Sequence, residues 1–161
     1  MTALGVFKNI GVFILLLALH FTVRPLIGTR ISIDFLVIAV LLAAIHMRPG
    51  LAAIIGFMVG LIADSLTPLS LGAGALAMSA VASGASWLKA AVFGDNVLAQ
   101  GVFLSAGKLA FDIIYLVVEG RLPMSDLLVH LALWSPLSAV ATGLIGVLVV
   151  NTFRISMESR P

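Results

Sequence analysis

Cysteine is absent from all 161 residues, which excludes disulfides, thiolate metal sites and cysteine nucleophiles. Charge is almost as scarce. Asp, Glu, Lys and Arg make up 10% of the chain, against about 25% in ordinary globular domains. The formal excess is only two positive charges, a loop bias rather than a surface for nucleic acid. Linkers, low-complexity tracts and repeats are missing, so the chain reads as a single domain. Catalytic signatures are missing as well: no G-x-S-x-G elbow, H-E-x-x-H, P-loop or paired-Asp phosphatidyltransferase pattern occurs. Ser65, Ser70 and Ser79 have no histidine placed by any motif to activate them. The expectation is a protein that is not an enzyme and holds no cofactor.

What is abundant is apolar. Hydrophobic residues reach 61%, where soluble domains hold roughly 45–50%. That excess does not fit inside a compact body of this length, so the chain reads as an all-α, polytopic membrane protein. Hydropathy divides it into six spans at about 4–23, 31–47, 51–66, 69–88, 96–118 and 127–153. The third is short and the sixth long for a bilayer that takes about 20 helical residues, and Pro136 supplies a kink in the sixth. Nothing resembles a cleavage site after the first apolar run, so it is expected to stay as a helix, with Lys8 snorkelling to the headgroups. Basic residues set the orientation. With the N-terminus inside, Lys8, Arg48, Lys89, Arg154 and Arg160 are cytoplasmic. Arg24, Arg30 and Arg121 are outside, accompanied by Asp34, Asp64, Glu119 and Asp126. Both termini are expected in the cytoplasm.

Three faces carry most of the information. In the third span, Gly56, Gly60 and Asp64 lie four residues apart on one side of a helix. A Thr-Pro break follows, and Gly72 and Gly74 open the next span. Glycine at this spacing admits a second helix backbone, either this protein's own or a partner's. Asp64 at the end of the face either accepts hydrogen bonds from backbone N–H groups of the turn and the next helix or contacts an ion or substrate. In the fourth span, Gly72, Ala75, Ser79, Ala82 and Ser86 repeat at three and four, beside a second row of Ala73, Ala77, Ala80 and Gly84. This broad small-residue surface packs within the bundle or receives a partner's membrane helix.

The fifth span carries a polar stripe of Gly101, Ser105, Lys108, Asp112, Tyr115 and Glu119 at alternating four and three. A charge at mid-bilayer costs about 2.5–3.5 kcal/mol on insertion scales. Lys108 and Asp112 offset each other one turn apart, although Lys before Asp is the poorer order for such a pair. Two readings stay open: an intrahelical pair that settles the helix, or an interhelical role at a partner or polar cavity. Histidine adds little. His20, His130, Asp34 and Asp64 fall toward the outer side, but no H-x-x-x-H or E-x-x-H spacing fixes two ligands, and no metal site is expected. His46 beside Arg48 marks a cytoplasmic border.

The order of motifs from 31 to 88 resembles the rod shape-determining protein MreD family. Ile33-Asp34-Phe35 is similar to that family's P-D-L entry to a second helix, with isoleucine where proline is common. Arg48-Pro49-Gly50 resembles its short turn. Gly56 through Leu76 resembles its G-x-x-x-G-L-x-x-D segment, break and G-x-x-A-L-like restart. The resemblance implies a scaffold of the bacterial cell-elongation machinery that binds the membrane helix of MreC. It also implies association with RodA and penicillin-binding protein 2, and with MreB filaments on the cytoplasmic side. Residues of the third to fifth spans, Gly56, Gly60, Gly72, Ser79, Ser105 and Tyr115 among them, are the candidate contact positions. The family's fold is thought similar to the substrate-binding membrane subunits of energy-coupling-factor vitamin transporters. That supplies the alternative, a small-molecule binder with Lys108, Asp112 and Asp64 lining a polar pocket.

Overall fold

The computed structural model describes residues 11, 18, 34–66, 71–92 and 96–158. The expected first span lies outside the described residues except at its positions 11 and 18, and so does the Thr-Pro break at 67–70. Among the described residues the architecture is helical and contains no strand. The helices are α1 (Phe35–Ala44), α2 (Pro49–Ser65), α3 (Ala73–Val92), α4 (Val97–Glu119), α5 (Met124–Val129) and α6 (Ser135–Glu158), with a π-helical segment, His130–Trp134, between the last two.

The shortest of the long elements is the centre of the bundle. Residues of α1 are apolar on every side, and a helix of that kind has to be enclosed. Phe35 through Leu41 and Ala44 are all buried, and α2, α3, α4 and α6 each pack against them. The surrounding helices are sided. Pro49 starts α2 at a first-turn position where its missing N–H costs nothing. Ala52, Gly56, Val59, Gly60 and Asp64 then form its buried face. On the opposite side Leu51, Ile54, Met58 and Ile62 are exposed.

Among the described residues, α2 and α3 share the most extensive helix–helix contact. A Cβ on Gly56 would lie 2.6 Å from the Met78 carbonyl oxygen, and one on Gly60 would lie 2.6 Å from the Ala75 Cα. Only glycine permits that approach, and the return in dispersion contact is spread along both helices. The glycine face expected of the third span is therefore spent inside this chain.

Among the described residues, two helices are long and apolar enough to cross a membrane, α4 and the continuous helical run Met124–Asn151. The apolar helices Phe35–Ala44, Pro49–Ser65 and Ala73–Leu88 are shorter. The Asn96 side chain caps α4 by accepting from the Leu98 N–H at 3.1 Å. Gly120, left-handed at φ 59, closes it by donating to the Leu116 carbonyl. The kink expected at Pro136 takes the form of the π segment. Pro136 has no N–H to offer, and its ring would press on the carbonyl of Ala132 in a regular helix. The wider turn relieves both, with the Ser135 N–H reaching His130.

Candidate functional site: a buried charge cluster joining three helices

The polar stripe of α4 faces inward. Lys108 is 2% exposed, although Lys is almost never enclosed unless paired. Its ammonium meets two carboxylates. One is Asp112, one turn along the same helix at 2.5 Å. The other is Asp34, the residue that leads into α1 and is itself buried. The third side of the ammonium faces the Phe111 ring, 5.2 Å from its centroid. Tyr115 stacks on that ring at 5.7 Å.

The carboxylates are held in turn. The backbone N–H of Asp34 donates to Thr142 Oγ1 of α6 at 3.4 Å, and Thr142 is fully enclosed. Ser135, buried at the start of α6, stands beside the Asp112 carboxylate. One cation thus ties α1 and α4 together, and two hydroxyls bring α6 to the same point. Of the two readings of Lys108 and Asp112, the structure shows both contacts at once, an intrahelical pair extended across to α1. Charges in low dielectric survive only when paired and hydrogen-bonded, and this cluster meets that condition with protein groups.

Asp64 serves a different purpose. Its carboxylate accepts from the N–H of Gly72 at 2.9 Å and of Ala75 at 3.1 Å. It therefore caps the start of α3 while sitting at the end of α2, and the N-terminal dipole of α3 favours the negative charge. Gly72 adopts φ 99 in this turn, a left-handed conformation that a side chain would strain. A Cβ on Gly74 would collide with the Asp64 carboxylate. These residues form a local unit separate from the Lys108 cluster.

The remaining candidates divide between packing and surface. Ser105 lies where α4 crosses α6, and a Cβ on Gly143 would collide with its hydroxyl. Gly101 shares that crossing, with its carbonyl 2.9 Å from the same Cβ position. Ser79 is half-buried on α3, between the buried Ala75 and Ala82. Ser86 donates to the Met47 carbonyl at 2.7 Å, tying the far end of α3 to the α1–α2 turn. The second row of α3 splits: Ala73 and Ala77 are buried, Ala80 is exposed, and a Cβ on Gly84 meets open space.

Sequence reasoning missed the role of Asp34, Ser135 and Thr142 in the cluster, and the close contacts of Gly143 and Gly146. A signal existed for the last of these. Ala139, Gly143 and Gly146 are spaced four and three in the sixth span, the same small-residue pattern that marks α3. Among the described residues no group of three His, Asp or Glu side chains is arranged to hold a metal. No protein-family model, curated protein or solved structure matches this chain.

Proposed function

We propose that the chain is a six-span protein of the bacterial cytoplasmic membrane, with both termini in the cytoplasm, acting as a non-enzymatic scaffold of the cell-elongation complex in the manner of MreD. One observation carries the reading. The ionic groups of Lys108, Asp34, Asp112 and Asp64 are turned inward and occupied by protein partners. The outward surface meanwhile carries Ile54 and Ile62 on α2, Leu76 and Trp87 on α3, Val102 on α4 and Leu144 on α6. Lipid is the solvent for such a surface, since soluble monomers rarely expose apolar patches larger than a few hundred Å². The short helices reach across by local thinning of the bilayer.

Within this reading the MreC membrane helix docks on the outward face of α3, where Leu76, Ala80, Ser83, Gly84 and Trp87 share one side. Ala80 and Gly84 permit close approach there. RodA, penicillin-binding protein 2 and MreB join through MreC or around it. The small-molecule alternative, a subunit like those of energy-coupling-factor vitamin transporters, requires Lys108, Asp112 and Asp64 to face a solute. It is weakened because all three are engaged with groups of this chain.

The test is affinity purification from membranes with identification of the co-eluting chains. MreC is expected with the wild type. Gly84→Leu, which projects into open space, is expected to insert normally and lose MreC about tenfold, equivalent to ~1.4 kcal/mol. MreC at wild-type level with Gly84→Leu removes α3 as the docking face. A wild-type eluate without MreC removes the scaffold reading itself.

A further inference from the structure

Charge is distributed unevenly around the α1–α2 turn. Between Asp34 and Asp64 the chain carries no acidic residue, and Arg48 is the one lysine or arginine there. Arg48 is exposed at the entry to α2, caps nothing with its side chain, and has no carboxylate partner among the described residues. From this point an apolar column runs along the outward side of α2. Leu51, Ile54, Met58 and Ile62 follow one another at three, four and four, each more than half exposed. At about 1.5 Å of rise per residue the column is about 16 Å long, close to half of a hydrocarbon core about 30 Å thick. The level of its upper end is marked independently. Ser86 donates to the Met47 carbonyl at 2.7 Å, so their neighbours Trp87 and Arg48 stand at one level of the bundle. Trp87 is 78% exposed. Tryptophan and arginine side by side above an apolar surface are the signature of a headgroup region.

We propose, on the membrane reading above, that the α1–α2 turn binds an anionic phospholipid of the inner leaflet. The Arg48 guanidinium takes the headgroup phosphate, and an acyl chain lies along Leu51, Ile54, Met58 and Ile62. A guanidinium presents a planar fork of donors that matches two oxygens of one phosphate. Every phospholipid has that phosphate, and the lack of carboxylates selects among them. A zwitterionic headgroup brings an ammonium that meets no acid in this turn, whereas phosphatidylglycerol brings none. The column on α2 commits the ligand to a lipid, because its side chains gain no contact from a soluble anion.

The test is native mass spectrometry of the purified full chain in mild detergent, titrated with phosphatidylglycerol or phosphatidylethanolamine of identical acyl chains. The wild type is expected to retain phosphatidylglycerol about fivefold better, the ratio that one basic residue contributes at an anionic surface. Arg48→Gln is expected to retain both lipids alike. Arg121→Gln, exposed in the turn after α4, is expected to keep the wild-type preference. Glycerol phosphate, the soluble headgroup fragment, is expected not to compete. Equal retention of the two lipids by the wild type overturns the proposal. So does a preference that survives Arg48→Gln or is lost equally in Arg121→Gln, and so does displacement by glycerol phosphate. Alkaline extraction of membranes separates the two levels of failure. An extractable chain removes the membrane reading, and an inextractable chain without lipid preference removes the headgroup site alone.

Discussion

Replacing Lys108 by methionine isolates what the buried ammonium contributes. Methionine preserves most of the stem's length and packing, so the loss is almost purely that of the charge. The Asp34 and Asp112 side chains, 8% and 14% exposed, then have no cation. Removing one member of a buried pair typically costs about 3–5 kcal/mol, because a charge is left behind without compensation. Two carboxylates depend on this one lysine, which places the expected loss at the upper end of that range, about 5 kcal/mol. Neutralising all three residues, as Lys108→Met, Asp34→Asn and Asp112→Asn together, removes the orphaned charges. That variant is expected within about 1.5 kcal/mol of the wild type, since replacing a whole buried ion group is often neutral. Equilibrium unfolding in mixed micelles, followed by far-ultraviolet circular dichroism and tryptophan emission, measures both. A cost below about 1 kcal/mol for Lys108→Met is what a hydrated surface pair would give, and it would refute the argument. So would a triple variant as unstable as the single one.

Two further outcomes can be read from the same unfolding curves. Asp64→Ala removes an acceptor for two backbone N–H groups at the start of α3 and is expected to cost about 2–3 kcal/mol. Asp64→Asn keeps an acceptor oxygen and is expected to lose about half as much; equal losses would show that the cap is not what Asp64 supplies. Gly60→Ala pushes a methyl against the Ala75 backbone and is expected to cost about 1–3 kcal/mol by overpacking. Gly84→Ala, facing open space, is expected to be neutral or slightly stabilising, since alanine is the better helix former.

How much of this was legible in the sequence depends on the range of the interaction. Gly56, Gly60 and Asp64 announce a close-packed face because helical periodicity is local, and the structure uses that face against α3. The inward stripe of α4 is legible for the same reason. The second partner of Lys108, on another helix, is not. Asp34 lies 74 residues away, in a position that reads as a loop charge at a helix entry, and nothing in its neighbours points to α4. Pro136 signals a disturbance in the last helix, but not whether a kink, a break or a π turn absorbs it. That depends on which residues around it are free of the bundle, a tertiary property. The centrality of α1 follows from its all-round apolar composition, although ten residues are short for the middle of a membrane-sized bundle.

The ion pair also has a direction in time. The chain emerges from its N-terminus, so Asp34 is synthesised 74 residues ahead of Lys108. At about 5–20 residues per second this is a delay of roughly 4–15 s. For that interval the central helix carries a carboxylate whose counter-ion does not yet exist. The innermost element of the bundle is thus made early but completed late, and its settling is timed by the arrival of a single lysine.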